Sequence, residues 1–362
     1  MTSEISPVVP ILLELLEIPS PTGEERVICD HVEKLVADAA AHGQPLSWQR
    51  SGDSLVVHGP PEPGRPRIVL VGHLDTVPIA EGLTPRLDET RLVGRGAVDM
   101  KAGVAVMIGL IEALDLRTAR ADLSWVFYDG EEGSYDTNGL AALLAEGRVP
   151  EDADLYVVLE PTHGQLQLGC IGSVTVDAIF EGQAAHAARP WLGCNAITRA
   201  GEWLADMDQR RASPVEVEGL TFRETFQVTM ALGGTAQNVV PDKFRCRVNH
   251  RFSPDRTLDE ATARLKTVCG AADRVEVVDG APPARPAADN PIVVAMQEEM
   301  RLTVHPKQAW TDVGRLAARG WDAVNYGPGD PTLAHQDDEW IAVGDLNRFY
   351  NKLASFLAED VS

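Results

Sequence analysis

The chain has 362 residues, which exceeds one ordinary core and suits two or three compact units. Its 44% hydrophobic and 24% charged residues are typical of a globular protein and not of a disordered one. The formal net charge of −22 at pH 7 argues against a general nucleic-acid binder and against a partner of anionic membranes, because both need clustered lysine and arginine.

Neither a leader nor a membrane span is predicted. The N-terminal residues carry no basic segment before an apolar stretch, and no apolar run reaches the roughly 18–20 residues that a span requires. The five cysteines are scattered, odd in number and without a Cys-x-x-Cys pair, which argues against a disulfide framework and a cysteine zinc site. We therefore expect a soluble, cytoplasmic protein that binds neither nucleic acid nor membrane.

The first half of the sequence alternates predicted helices and strands. Helical spacing of apolar residues predicts helices over residues 8–18, 27–36, 100–114 and 137–145. Short apolar or β-branched runs predict strands over residues 54–58, 67–73, 123–128 and 155–159. The continuous apolar run after Arg67 is typical of a strand buried on both faces. This order predicts an α/β fold with a mostly parallel central sheet.

The pattern changes after about Cys170. Alternating residues predict strands over 173–180, 226–232, 244–252 and 274–278, with helices over 195–207 and 257–268. Residues 279–286 predict a linker by composition, and helix and strand then alternate once more. The last predicted helix places apolar residues on one face: Leu346, Phe349, Leu353, Phe356 and Leu357.

These shifts predict an insertion. An α+β domain over residues 172–283, with one exposed sheet face, would interrupt an α/β domain formed by residues 1–171 and 284–362.

Histidine and acidic residues follow the predicted strands at their carboxyl ends, where ligand sites form in open α/β sheets. These residues are His73 with Asp75, Glu131 with Glu132, and Glu160, while Asp99 stands just before a predicted helix. Imidazole nitrogens and carboxylate oxygens bind zinc, and a pair of zinc ions needs a bridging carboxylate besides ligands on each ion. The sequence therefore predicts a two-metal hydrolase site, with a further ligand from downstream.

Two of these acidic residues suit roles other than metal binding. Asp75 follows His73 by two residues and could orient an imidazole or support the bridging ligand. The adjacent side chains of Glu131 and Glu132 diverge, so that one can bind metal while the other acts as general base on water.

Five segments together resemble, in order and over essentially the whole chain, the M20 family of co-catalytic zinc aminoacylases and peptidases. They are Gly72-His-Leu-Asp-Thr-Val-Pro78, Gly94-Arg-Gly-Ala-Val-Asp-Met-Lys101, Glu131-Glu132-Gly133, Leu159-Glu-Pro161 and Ala334-His335. The resemblance implies a dinuclear zinc domain with an inserted lid domain. It also implies a homodimer that forms through the lid domain.

The resemblance also implies a role for each matching residue. His73 and Glu160 would bind one Zn²⁺, Glu132 and His335 the other, and Asp99 would bridge them, with Co²⁺ or Mn²⁺ as possible substitutes. Asp75 would orient a ligand and Glu131 would be the general base. His186, in Gly182-Gln-Ala-Ala-His186, would reach the partner subunit's active site and help to stabilise an oxyanion.

Within the family, the chain resembles most the succinyl-diaminopimelate desuccinylases of actinobacterial type. The segments that carry this likeness are Trp310-Thr-Asp-Val-Gly-Arg315, Asn325-Tyr-Gly-Pro-Gly-Asp330, Asn238-Val-Val-Pro241 and Arg251-Phe-Ser-Pro254. The likeness implies substrate contacts from Asn238, Arg251, Thr311 and Arg315. A guanidinium suits an acyl chain that ends in a carboxylate.

The expected reaction is amide hydrolysis of an N-acyl amino acid, preferably N-succinyl-LL-2,6-diaminopimelate. One departure bears on the acyl group, since Cys170-Ile171 stands where many relatives have arginine before the Gly-Ser pair. Three alternatives remain: a deacylase for N-acetylornithine, N-acetylcitrulline or a related intermediate, a dipeptidase or carboxypeptidase, and a non-catalytic zinc-binding interaction protein. The last alternative predicts a missing base or ligand, and the sequence has both.

Overall fold

The computed structural model describes residues 7–358. Residues 1–6 lie outside this range, and with them part of the N-terminal segment on which the leader prediction was made. The described chain divides into two compact units: residues 7–168, 287–305 and 319–358 form the first, and residues 169–286 with 306–318 form the second. No described helix has the length and apolar character needed to cross a membrane.

The helices and strands have the following bounds. The described α-helices are α1 Val8–Leu16, α2 Arg26–Ala41, α3 Lys101–Ala113, α4 Gly139–Ala145, α5 Ala196–Arg199, α6 Gly201–Gln209, α7 Leu258–Val268, α8 Pro291–Glu299, α9 Val313–Ala317 and α10 Val343–Leu357. The described strands are β1 Ser47–Ser51, β2 Ser54–His58, β3 Arg67–His73, β4 Arg86–Leu87, β5 Arg91–Val93, β6 Asp122–Tyr128, β7 Leu155–Val158, β8 Leu166–Leu168, β9 Gly172–Glu181, β10 Ala185–His186, β11 Ser213–Val217, β12 Leu220–Gly233, β13 Val239–Val240, β14 Lys243–Phe252, β15 Arg274–Ala281, β16 Val304–Pro306, β17 Ala323–Asn325 and β18 Trp340–Ala342.

The first unit is built on a sheet with the strand order β1-β2-β6-β3-β7-β17-β8-β16. The four central strands β6, β3, β7 and β17 are parallel, whereas β2 and β8 join them antiparallel on either side. Strand β3 has its four apolar residues from Ile68 to Val71 fully or almost fully buried, as its continuous apolar run predicts. The predicted α/β fold with a mostly parallel central sheet is confirmed.

Helix α3 is buried along nearly its whole length, which explains its lack of a polar face. Two glycines allow its close packing, because a Cβ on Gly103 would lie 2.6 Å from the Leu159 carbonyl oxygen and one on Gly109 would lie 2.7 Å from Val8. Helix α10 buries the five apolar residues predicted to share one face.

The second unit contains an antiparallel sheet in the order β11-β12-β14-β9-β15. Strand β14 alternates buried and partly exposed residues, and its buried side chains pack in one core with residues of α5, α6 and α7. Such alternation is typical of a sheet with one covered face. A capping box begins α7, with Thr257 and Glu260 satisfying each other's backbone N–H groups.

Two element predictions for this unit are wrong. The single helix predicted over residues 195–207 is interrupted at Ala200 and consists of α5 and α6, since Gly201 is a poor residue for a helix interior. The predicted linker begins too early, because β15 extends through Ala281 and pairs there with Ser173 of β9.

Residues 306–318, which the predicted limits put in the first domain, pack with the second unit. The Ile171 amide donates a hydrogen bond to the Lys307 carbonyl, and the Trp310 indole donates one to the Pro282 carbonyl. The roles of the two units as catalytic and lid domains stay a prediction.

Candidate metal centre

The parallel strands bring three predicted site segments to one edge of the sheet. Strands β6, β3 and β7 are neighbours, so the residues that follow them meet at the carboxyl ends. The pairing continues past the strands, since the Leu74 amide donates to the Tyr128 carbonyl at 2.7 Å and the Leu159 amide to the Val71 carbonyl at 2.9 Å. His73, the Glu131-Glu132 loop and Glu160 therefore converge.

Asp99 and His335 reach this edge from outside the central strands. Asp99 ends the loop before α3, and the missing side chain of Gly103 lets the first turn of α3 approach the segment that leads to Glu160. His335 follows the short 3₁₀ turn Pro331–Leu333 and has a left-handed backbone, with φ of 64°. Few residues other than glycine adopt that conformation, and those that do cluster at functional sites.

The five predicted metal ligands form two groups that share Asp99. In the first group, His73 Nε2 lies 3.3 Å from Asp99 Oδ1 and 3.7 Å from Glu160 Oε1. In the second, His335 Nε2 lies 3.4 Å from Asp99 Oδ2 and 2.7 Å from Glu132 Oε1. Within each group the ligand atoms lie within 4.8 Å of one another. The two oxygens of Asp99 thus face different imidazoles.

The electrostatics of the site favour positive charge. Hydrogen bonds to Asp99 and Glu132 raise the pKa of His335 to about 10. Burial opposes a charge on His73, yet hydrogen bonds to Asp75 and Asp99 outweigh it and raise its pKa well above the usual value. Burial likewise opposes ionisation of Asp99, but hydrogen bonds from both histidines hold its pKa well below the usual range.

This donor set fits a pair of divalent cations. Each group supplies one imidazole nitrogen and carboxylate oxygens, the ligand types of zinc and of similar transition ions. The carboxylates that raise the pKa of both histidines would also stabilise a bound cation by their negative charge. One carboxylate facing both groups is what a bridge between two ions requires.

Asp75 orients the surrounding groups. Its backbone carbonyl accepts a hydrogen bond from His73 Nδ1 at 3.0 Å, so that in the neutral ring Nε2, which faces Asp99 and Glu160, has the lone pair that can bind a cation. Its buried carboxylate accepts the amide hydrogens of Glu131 at 2.9 Å and Glu132 at 3.0 Å. Asp75 therefore positions His73, a predicted ligand, and the loop that carries Glu131 and Glu132.

Glu131 belongs to a third group with His73 and Glu132, again within 4.8 Å. Its carboxylate is thus close enough to act on a water molecule at the centre. Sequence reasoning missed Glu25, whose carboxylate is buried and accepts the Gly130 amide at 3.2 Å. No pattern distinguishes this glutamate from the exposed Glu24 beside it.

His186 and Asn238 lie together in the second unit. Strands β10 and β13 pair His186 with Val239, and the Ala187 amide donates to the Asn238 carbonyl at 2.8 Å. His186 is exposed, and its Nδ1 accepts the Ala188 amide at 3.0 Å. Its Nε2 therefore carries the hydrogen of the neutral ring and can donate it.

The other predicted substrate contacts differ in their surroundings. Thr311 and Arg315 are buried, and Arg315 Nε donates to Asp312 at 2.7 Å. Arg251 lies on β14 and is partly buried, which lowers its pKa, and no hydrogen-bond or ion-pair partner for its guanidinium is found among residues 7–358. Cys170 is fully buried, and burial raises its pKa to about 11.

Known proteins resemble this chain in sequence and in fold. The sequence model for peptidase family M20/M25/M40 matches residues 69–359. The chain is 38% identical to a Mycobacterium tuberculosis protein provisionally named a succinyl-diaminopimelate desuccinylase, over 95% of this chain and 96% of the relative. It is 33% identical to the succinyl-diaminopimelate desuccinylase of Corynebacterium glutamicum, over 99% of this chain and 100% of the relative. The aminopeptidase PepT from Bacillus cereus shares the fold, with a TM-score of 0.79 at 22% identity over 98% of both chains.

The adjacent glutamates provide a matched test of the metal centre. We expect Glu132→Gln to lose one of two zinc ions, because Glu132 contacts His335 in the second group, and Glu131→Gln to retain both. Zinc bound per chain is measured by equilibrium dialysis and elemental analysis. Loss of an ion from Glu131→Gln alone would reverse the two assignments.

Proposed function

This chain belongs to peptidase family M20/M25/M40 and is a metal-dependent hydrolase, and we propose that it cleaves the amide bond of N-succinyl-LL-2,6-diaminopimelate. The products are succinate and LL-2,6-diaminopimelate. The reaction class is carried by one observation, the sharing of Asp99 between two ligand groups with Glu131 beside them. The substrate is supported by the two relatives named as desuccinylases, which align over nearly their whole lengths.

In the proposed mechanism, His73 and Glu160 would hold one zinc ion, Glu132 and His335 would hold the other, and Asp99 would serve both. When bound, the ions supply Lewis-acid chemistry that lowers the pKa of water and polarises the acyl oxygen. Glu131 takes a proton from the attacking water as the water oxygen bonds to the acyl carbon. Glu131 then gives that proton to the amine nitrogen as the carbon–nitrogen bond breaks.

Arg251 is the best candidate for the succinyl carboxylate. Arg315 already pairs with Asp312, and Cys170 offers no positive charge at the position of the arginine found in many relatives. Arg251 combines partial burial with a guanidinium that makes no hydrogen bond or ion pair with a described residue, although the charge of Asp279 acts on it. A partly desolvated guanidinium gains most from a carboxylate partner. We propose Asn238, Thr311 and Arg315 as further substrate contacts.

The homodimer is proposed through the second unit. Trp191 and Leu192 are 75% and 60% exposed and follow His186 closely in sequence. Strand β12 pairs with β11 only through residues 220–224, and Met230 and Leu232 stay exposed on its later half. Exposed apolar edges of sheets are surfaces that proteins cover. A second copy would cover this one and bring His186 to the partner's active site, where its Nε2 hydrogen can stabilise the oxyanion.

The substrate is tested with metal-stripped protein assayed with and without zinc. Side by side, N-succinyl-LL-2,6-diaminopimelate, N-acetylornithine, N-acetylcitrulline and a dipeptide are offered, and the released amine is measured. We expect zinc-dependent turnover selective for the succinyl compound. Selectivity for another substrate would contradict the proposed substrate while keeping the metal chemistry, and no turnover with two zinc ions bound would contradict the reaction.

The role of Arg251 predicts a change in KM. We expect Arg251→Gln to raise KM for the succinyl substrate by about 10-fold to 100-fold with little change in kcat, since one charge-assisted contact is worth roughly 1.5–3 kcal/mol. The matched control is Arg247→Gln, four residues earlier on the same face of β14, whose guanidinium already pairs with Asp177 at 2.9 and 3.1 Å. An equal rise of KM in both variants would argue against a substrate contact.

Action of His186 across the dimer predicts complementation. Glu131→Gln loses about 10²-fold to 10⁴-fold in turnover without its base, and His186→Ala is also impaired. In a mixed dimer, one site would combine an intact Glu131 with the partner's intact His186, so that exchanged mixtures regain about a quarter of wild-type activity. Steady-state assays of mixed subunits measure this gain. Mixtures that are no more active than their components would place His186 in its own subunit's site or outside catalysis.

A further inference from the structure

A buried carboxylate outside the predicted site binds the loop that carries Asp99. Glu339 is fully buried, and its carboxylate accepts four hydrogen bonds from this loop. Oε2 accepts from Arg95 Nη1 at 2.9 Å and the Gly96 amide at 3.0 Å. Oε1 accepts from the amides of Val98 at 2.8 Å and Asp99 at 3.1 Å.

Backbone contacts attach the same loop to the segment that carries His335. The Gly94 amide donates to the Glu339 carbonyl at 3.0 Å, and Arg95 Nη1 donates to the Gln336 carbonyl at 3.0 Å. Glu339 follows His335 by four residues, just before β18. Its side chain therefore joins the two segments that deliver Asp99 and His335.

These two ligands need such a connection more than the others do. His73 ends β3 and Glu160 follows β7, so the hydrogen bonds of the central sheet fix both positions. Asp99 and His335 come from loops, yet their side chains meet at 3.4 Å.

We infer that Glu339 is a positioning residue for the metal pair, which holds Asp99 and His335 at the spacing that the second ion requires. The inference rests on the proposed function, since it assumes that these two residues bind metal. An ionised carboxylate is specifically suited to the task, because it accepts hydrogen bonds at both oxygens and donates none. A glutamine would direct its NH₂ group at one of the two pairs of donors.

The test is a zinc titration of metal-free protein by calorimetry. We expect the wild type to bind two ions, and Glu339→Gln to bind the ion held by Glu132 and His335 tenfold to a hundredfold more weakly, as is typical when a partner that orients a ligand is lost. The ion held by His73 and Glu160 should be affected less, because Asp99 is the only one of its ligands that Glu339 positions. This readout does not depend on turnover.

Glu224→Gln is the matched control. Glu224 is 2% exposed and accepts hydrogen bonds from Ser253, Arg256 and Arg264 in the second unit, so its loss also removes a buried, satisfied carboxylate. We expect Glu224→Gln to lower the melting temperature without changing either zinc affinity. An equal loss of zinc affinity in both variants would mean that Glu339→Gln acts through general destabilisation. That result would overturn the inference.

The remaining outcomes separate the inference from the proposed function. A wild-type protein that binds fewer than two zinc ions would contradict the proposed function itself. Two ions in the wild type and unchanged affinities in Glu339→Gln would overturn the inference alone. If Glu339→Gln does not fold, Glu339→Asp is used instead, because its side chain is too short to place the carboxylate between both pairs of donors. Unchanged zinc affinities in that variant would overturn the inference equally.

Discussion

Carboxylates crowd around two imidazoles at the carboxyl edge of the central sheet, and the resulting negative potential is the constraint on which the site depends. Asp99 lies within 3.4 Å of the Nε2 atoms of both His73 and His335, while Glu160 and Glu132 lie 3.7 and 2.7 Å from the same two atoms. Like charges so close together repel strongly where water is largely excluded. Two divalent ions bound between these groups would relieve this repulsion.

The fold holds these acidic groups together with hydrogen bonds from the backbone. Asp75 accepts the amides of Glu131 and Glu132, and Glu339 accepts the amides around Asp99. Each of these carboxylates is fully buried, and its partners compensate the cost of removing its charge from water. Hydrogen bonds alone would not bring α3 this close to the sheet. Gly103 allows the close approach because it has no side chain. Positioning in this site therefore depends on residues that need not contact an ion.

Much of the fold and of the candidate centre could be predicted from the sequence. The continuous apolar run of β3 and the residues after the central strands predicted both the parallel sheet and the edge where His73 and Glu160 meet, because strand order and direction translate directly into position. His335 was different, since it lies in a loop and only the likeness to a family singled it out. Short strands such as β11 escaped prediction because they lack a hydrophobic period. Glu339 escaped because a buried glutamate looks like its acidic neighbours until the chain is folded.

The central claim is that Asp99 serves two metal ions at once. Anomalous diffraction from crystals of the zinc-loaded protein, recorded on both sides of the zinc absorption edge, tests it most directly. We predict two zinc peaks that both contact Asp99, one also bound by His73 and Glu160 and the other by Glu132 and His335. A single peak, or two peaks of which only one contacts Asp99, would contradict the claim.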